Sequence, residues 1–439
     1  MLAFFEAEHL QHIGRGFLGI GLLILISLAF SSNRKRFPWK IVIGGLGLQW
    51  LLALFILKTS AGEKTFDYLG NIVDTVLKAS AAGSAFLFDM LVAPDQQVPW
   101  AANVAVIIFS TIVLVSTLSA IGYYFGILQR IVTMMAWIMR KSMGVTGAES
   151  LSGAANIFLG QTEAPLLVAP YIPKMTRSEL MALMTGGFAT VAAGVLGSYV
   201  AILSDIDLGT GEPGGMTRHL LAACVMSAPG AFVVAKIMIP PDEELPDEEA
   251  RAVESTFQSK NFLDVIAEGA TQGMHLAFNV LTMLLVFVAL VFLVDSALRW
   301  FGSLAWIEPA VTAMGMKELS IGGILGLIFY PVAWVIGIEG GDVRNVAALI
   351  GKGIAVNEFI AYQDLANMLK ADQLSTRSGI IAAYAMCGFA NFSSIGIQIG
   401  GIGKLAPTRR AEVAQLGPRA MIGGAMACWM TATIAGILI

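Results

Sequence analysis

The chain is 439 residues long, 56% hydrophobic and 13% charged, with a formal net charge of -4. A composition this apolar excludes an ordinary water-soluble domain, and so even a charge balance leaves no footprint for nucleic acid or an anionic lipid surface. Cys224, Cys387 and Cys428 have neither disulfide nor metal-ligand spacing and read as packing residues, and His9, His12, His219 and His275 are too scattered for a metal centre.

A membrane-spanning helix needs about 20 mostly apolar residues. In chain order the stretches that meet this are 13–31, 41–57, 101–124, 180–203, 219–239, 275–298, 380–400 and 420–439, which predicts an all-α polytopic membrane protein with eight transmembrane helices. Glu6 and Glu8 precede the first stretch where a cleavable signal would be basic, so that helix is expected to stay in the membrane. Segment 66–90, with Asp67, Asp74, Lys78 and Asp89 among apolar residues, has the pattern of an interfacial helix or a loop closure. Segment 240–260 is crowded with Asp and Glu and reads as a solvated linker.

Basic residues set the orientation. Arg34, Lys35, Arg36 and Lys40 follow the first span, and Arg130, Arg140, Lys141, Lys174 and Arg177 follow the third, so both groups are expected on the cytoplasmic side. Lys404, Arg409 and Arg410 join them only if the chain crosses an even number of times in between. The run 321–338, broken by Pro331, is therefore placed as a helix on or partly in the outer face rather than as a further span, which leaves both termini outside.

Two apolar segments do not fit as spans. Segment 151–172 is interrupted by Gly160, Pro165 and Pro170, and half of it would cover only about 13 Å of a hydrocarbon core roughly 30 Å thick. That predicts a re-entrant hairpin, since broken backbone at membrane depth survives only where it lines a cavity or is buried in protein. Segment 343–368 repeats the theme, with Gly351, Gly353 and a break near Asn357. Each carries a glutamate, Glu163 or Glu358, and each glutamate is followed by a Gly-Phe-Ala tripeptide inside the next apolar stretch, at 187–189 and 388–390. An ionisable residue at bilayer depth is costly without a partner or a cavity, so a matched pair marks a functional site. The first hairpin enters from the inside and the second from the outside, which makes the repeat inverted, the architecture of transporters that bind their cargo between broken helices.

The segments GQTEAPLLVAPYIPKMTRSEL (160–180), VNEFIAY (356–362) and CGFANFSSIGIQIGGIGKLAP (387–407) resemble the signatures of concentrative nucleoside transporters, in particular the bacterial sodium-coupled branch. The resemblance implies a homotrimer of eight-span protomers, each with two opposed hairpins and a transport domain that moves against a trimeric scaffold. Residues 1–124 are then N-terminal helices, mainly scaffold, and 125–239 the first repeat. Residues 240–273 form a cytoplasmic linker and interfacial segment, and 274–439 a scaffold helix with the second repeat.

Carried onto this chain, the resemblance implies that Gln161, Thr162 and Glu163 face the nucleobase and that Glu358, Asn391 and Ser394 hold the ribose, with Val195, Leu276 and Phe389 as apolar walls. The chemistry agrees: Gln offers a donor and an acceptor to a base edge, and a carboxylate accepts from a vicinal diol. Asn391 and Ser394, three apart, are expected on one helical face. The coupling ion, sodium, is implied at the side chains of Asn156 and Thr190 and the backbone carbonyls of Leu159 and Val191, neutral oxygens that suit a hard cation. Related bacterial members carry Ser at the position of Thr190. The expected function is sodium-coupled import of nucleosides, uridine and other pyrimidine nucleosides included, across a bacterial inner membrane. Proton coupling through Glu163 or Glu358 is the alternative. No cofactor is expected, and a membrane enzyme is not, because neither a nucleophile nor a metal has suitable partners.

Overall fold

The computed structural model describes residues 7–88, 104–203, 206, 215–241, 261–314 and 316–439. The acidic linker, Glu6 and Asp89 lie outside the described residues. All regular structure among the described residues is helical. In chain order the α-helices are α1 (Ala7–Ala29), α2 (Trp39–Lys58), α3 (Ser60–Phe88), α4 (Val104–Tyr124), α5 (Ile127–Met143), α6 (Gly147–Asn156), α7 (Arg177–Ala189), α8 (Ala193–Leu203) and α9 (Gly215–Met238). They continue with α10 (Phe262–Gly302), α11 (Glu308–Ala313), α12 (Ile321–Ile328), α13 (Tyr330–Val335), α14 (Val343–Ala355), α15 (Glu358–Lys370), α16 (Thr376–Ala385), α17 (Phe392–Leu405) and α18 (Arg410–Leu438).

The core is built on α7, α9 and α18, which are buried along most of their length and pack on one another. Against this core α10 stands apart. Its 41 residues span roughly 60 Å at 1.5 Å per residue, and it packs mainly on α4. Gly269 and Gly273, four apart, put the two backbones in contact: a methyl on either would stand within 2.9 Å of a Cα of α4, at Thr117 or Val113. This is the small-residue packing that membrane helices use in place of a hydrophobic driving force. Further along, the C-terminal half of α10 exposes Leu285, Val288, Leu290, Phe292 and Leu293.

Seven segments among the described residues are long and apolar enough to cross a membrane: His12–Ala29, Trp39–Lys58, Ala105–Tyr124, Arg177–Leu203, Gly215–Met238, Phe262–Gly302 and Pro407–Leu438. The expected span at 380–400 is corrected: it is no single helix, but α16 and α17 separated by the extended and turning residues 386–391. The expected span at 180–203 is likewise split, into α7 and α8, at residues 190–192. The Gly-Phe-Ala tripeptides therefore sit at helix breaks and not inside continuous helices. The physical reason lies in how the breaks meet. A methyl at Gly388 would stand 2.6 Å from Phe188 O and 2.7 Å from Cys428 Sγ, so only glycine lets the second break lie against the first. Cys428, on α18, is within hydrogen-bonding range of Ala189 O (3.3 Å) in one break and Cys387 O (3.0 Å) in the other.

The run 321–338 forms two short helices, α12 and α13, which turn at Phe329 and pack on α14. The described part of segment 66–90, residues 66–88, belongs to the 29-residue helix α3, which begins at Ser60 and lies against α2, α4 and α9.

Candidate functional site

Each glutamate singled out in the sequence sits where a helix has been interrupted. Helix α6 starts at a capping box, Thr146 with Glu149, and ends at Asn156. The chain then turns at Gly160 and returns through 3₁₀ turns at Ala164–Val168 and Ile172–Lys174, with Pro165 and Pro173 in their first positions. A second capping box, Thr176 with Glu179, starts α7. The two boxes are joined: Thr146 Oγ1 donates to Glu179 Oε1 at 2.8 Å, and Lys236 of α9 forms a buried ion pair with Glu149 while donating to Ser178 Oγ at 3.0 Å. This network ties the base of the first hairpin to α7 and α9.

At the hairpin tip Ala193 N donates to Phe158 O at 3.1 Å, so the tip and the α7/α8 break form one unit. Asn156 is 1% exposed, yet neither atom of its side-chain amide has a hydrogen-bond partner among the described residues. Buried polar atoms are almost always paired, so an orphaned amide needs an explanation. Thr190 Oγ1 donates to Gly186 O at 2.9 Å, which leaves its lone pairs free, and no hydrogen bond reaches the carbonyls of Leu159 or Val191 among the described residues. Neutral oxygen acceptors with spare lone pairs at the ends of broken helices suit a monovalent hard cation.

Glu358 opens α15, whose N-cap is Asn357: Asn357 Oδ1 accepts from Ile360 N at 3.0 Å. A carboxylate in the first helical turn is favoured by the helix dipole. Among the described residues its Oε1 accepts from Tyr199 OH of α8 at 3.0 Å and its Oε2 from Asn391 Nδ2 at 2.6 Å. Tyr199 is itself held by stacking on Tyr362 (ring centroids 4.4 Å apart) and edge-on against Phe359. Asn391 uses its other side-chain atom to cap α17, Oδ1 accepting from Ser394 N at 2.9 Å. Asn391 is the N-cap and the helix starts at Phe392, and Asn391, Ser394 and Gln398 are all buried along one side of α17.

The remaining residues divide. Glu163 is half-buried and lines a cleft of about 70 Å³ with Ser116, Ser119 and Tyr123 of α4 and Gln272 and Leu276 of α10. That is room for several water molecules among polar partners. Gln161 is buried and hydrogen-bonded to Gln398 of α17, Thr162 is exposed, Val195 is buried in α8, and Phe389 is half-buried at the second break. Glu358 does not line the cleft of Glu163; it faces a smaller cavity beside Gly388 and Cys428. Sequence reasoning missed Tyr199, Gln398 and the Glu149–Lys236 pair. A lone Tyr or Gln in an apolar helix carries little signal, and Glu149 and Lys236 are 87 residues apart.

Comparison with known proteins fits this geometry. The family profile "Na+ dependent nucleoside transporter C-terminus" matches residues 219–436, its N-terminal counterpart matches 18–91, and "Nucleoside recognition" (Gate) matches 105–205. An uncharacterized transporter of Haemophilus influenzae is 39% identical over 426 residues, covering 96% of this chain and 97% of that protein. Solute carrier family 28 member 3 of Mus musculus is also 39% identical over 96% of this chain, which spans 58% of that longer protein. The structure of CNTnw in an inward-facing substrate-bound state is 34% identical, with TM-score 0.86 over 97% of this chain and 98% of that chain. A variant of CNTnw in an outward-facing state gives TM-score 0.87 at 34% identity over 98% of this chain and 99% of that one. From these matches and the two joined helix breaks, the chain belongs to the concentrative, Na+-dependent nucleoside transporter family, whose members are transporters and not enzymes.

Proposed function

We propose that the chain is a sodium-coupled importer of nucleosides, uridine and other pyrimidine nucleosides among them, working by alternating access as a homotrimer in a bacterial inner membrane. The observation that carries this reading is the contact between the two helix breaks. Glu358, with donors from Tyr199 of α8 and the α17 cap Asn391, stands ready for a sugar diol, and the orphaned Asn156 amide together with the Thr190 hydroxyl stands ready for sodium.

The division of labour follows from the residues. Glu358 accepts from ribose hydroxyls, using the acceptor capacity left beside Tyr199 and Asn391. Asn391 and Ser394 complete the sugar end, and Phe389 and Val195 wall it. Gln161, Thr162 and Glu163 meet the base, Glu163 partly through water in the cleft it shares with Leu276. Sodium is carried by Asn156, Thr190 and the carbonyls of Leu159 and Val191. Because Ala193 N bonds Phe158 O across the hairpin tip, ordering the tip around sodium also orders the break that carries α8 and Tyr199. That is the physical link between ion and substrate.

The eight-span topology, with hairpins entering from opposite faces and α12–α13 outside, keeps the basic groups around Arg34, Arg140 and Lys404 on one side. The exposed apolar face of α10 supports a scaffold role with α4. Solved inward-facing, intermediate and outward-facing states of CNTnw support alternating access. Proton coupling is the weaker reading, since every sodium position keeps its oxygen ligand, Thr190 supplying the hydroxyl where related members have Ser. Uptake of labelled uridine into proteoliposomes at fixed pH tests the proposal: an inward sodium gradient should drive accumulation, and accumulation driven equally by a proton gradient without sodium would contradict it.

A further inference from the structure

We infer that Gln398 is a specificity-determining residue that locks the Gln161 amide with its N–H donors toward the substrate, so that the protein selects nucleobases presenting a hydrogen-bond acceptor there. The inference rests on the reading that Gln161 faces the base.

Gln398 lies on α17, in the second repeat, and is 1% exposed. Its Nε2 is 3.0 Å from Met184 O of α7 and 3.1 Å from Gln161 Oε1 on the first hairpin. A side-chain amide viewed alone can be turned end over end, but here the backbone decides. Met184 O only accepts, so the atom of Gln398 beside it must be the nitrogen, and turning Gln398 over would set its carbonyl oxygen against another carbonyl. The nitrogen has two hydrogens. One goes to Met184 O and the other points at Gln161, so the atom of Gln161 facing it must be the acceptor, Oε1.

Gln161 then has its acceptor engaged and its donor free. It is only 6% exposed, and its Nε2 makes no hydrogen bond to protein among the described residues. Packing resists rotation, because a methyl at Gly187 of α7 would stand 2.9 Å from both Gln161 Cβ and Gln398 Nε2. A glutamine free to rotate would accept from a ring N–H as readily as it donates to a carbonyl. Held this way, it meets carbonyl oxygens and unprotonated ring nitrogens, and confronts ring N–H groups and exocyclic amines with a second donor.

The test is competition of labelled uridine uptake in proteoliposomes by uridine, cytidine and 2-thiouridine. Uridine and cytidine exchange donor and acceptor at N3 and at the exocyclic group, and 2-thiouridine replaces the position-2 oxygen by sulfur. Gln398→Leu frees the Gln161 amide. Gln398→Glu presents an oxygen acceptor to it and turns it over. In at least one Gln398 variant, the uridine-to-cytidine or uridine-to-2-thiouridine ratio of inhibition constants should move by more than about threefold, further in Gln398→Glu than in Gln398→Leu. Structural damage alone would lower affinity for all three alike and leave both ratios in place. If Gln161→Ala shifts a ratio and neither Gln398 variant does, Gln161 reads the base unaided and the inference is overturned. If Gln161→Ala shifts neither ratio, the reading of Gln161 itself has failed, and the inference falls with it. Where uptake by a variant is too weak to measure, the same ratios are read from ligand-induced shifts in melting temperature of the purified protein.

Discussion

Thr190 and Asn391 share one backbone conformation, φ -126° and ψ 164°, at equivalent points after the two Gly-Phe-Ala tripeptides. The first ends α7 and the second starts α17, and the two breaks lie against each other at Gly388 and Phe188 O. The two halves of the chain thus repeat the same backbone detail at their breaks. In the first copy the hydroxyl of Thr190 donates to Gly186 O, and in the second the amide of Asn391 donates to Glu358.

Removing the charge at Glu358 tests the sugar end. Glu358→Gln should weaken uridine binding by about 30-fold or more, since losing one partner of a buried charge-assisted hydrogen bond costs about 2–5 kcal/mol. Titration calorimetry on the purified variant gives the number. Near-parental affinity in a well-folded protein would remove Glu358 from the site.

On the proposed sodium site, Asn156→Ala removes one ion ligand and no nucleoside contact. It should raise the sodium concentration for half-maximal uptake while leaving uptake at saturating sodium much less affected. Thr190→Ser keeps the hydroxyl and should be tolerated. Sodium-dependence curves identical in parent and Asn156→Ala would place the ion elsewhere.

The contact between breaks predicts a stability difference between two glycines. Gly388→Ala drives a methyl into Phe188 O and Cys428 Sγ and should cost about 1–3 kcal/mol. Gly396→Ala, on α17 with nothing within 4 Å of the new methyl, should be neutral or stabilising by up to about 1 kcal/mol. Melting temperatures of the two variants in one detergent make the comparison. Equal destabilisation would show that the breaks are not tightly apposed.

Lys236→Met should destabilise by about 3–5 kcal/mol, because it leaves Glu149 buried without its cation, whereas Lys236→Met with Glu149→Gln should recover most of the loss. The readout is again the melting temperature. A double variant no more stable than the single one would mean that the pair is not coupled.

Motion of the first hairpin against the scaffold is tested with cysteines at Leu166 and Ser119, which line one cleft from the hairpin and from α4. A crosslink between them should arrest uridine uptake, and reduction should restore it. Full transport by the crosslinked protein would show that the hairpin does not move against α4.

Much of this was legible in the sequence, for reasons that differ by residue. The interruption after α6 showed itself through Gly160, Pro165 and Pro170 crowded into one short apolar segment, and that between α14 and α15 through Asn357, which does cap α15. The breaks at 190–192 and 386–391 were hidden because their residues are apolar and hydropathy does not distinguish a continuous helix from two apposed halves. Asn391 is the instructive case. Its spacing from Ser394 anticipates the buried side that the two residues share, but its role as N-cap of α17 shows only in the backbone. Tyr199 and Gln398 needed the tertiary structure, because their partners lie 159 and 237 residues away.

Coupling between ion and nucleoside is measured most directly as binding linkage on the purified protein. If the sodium ligands at the hairpin tip and the sugar ligands at the breaks form one unit, sodium must tighten uridine binding, and uridine must tighten sodium binding by the same factor. Uridine titrations in sodium and in potassium at fixed pH and ionic strength should give dissociation constants that differ by about fivefold or more. Asn156→Ala should shrink the difference. Equal uridine affinity in sodium and potassium, with a pH change altering it instead, would contradict sodium coupling.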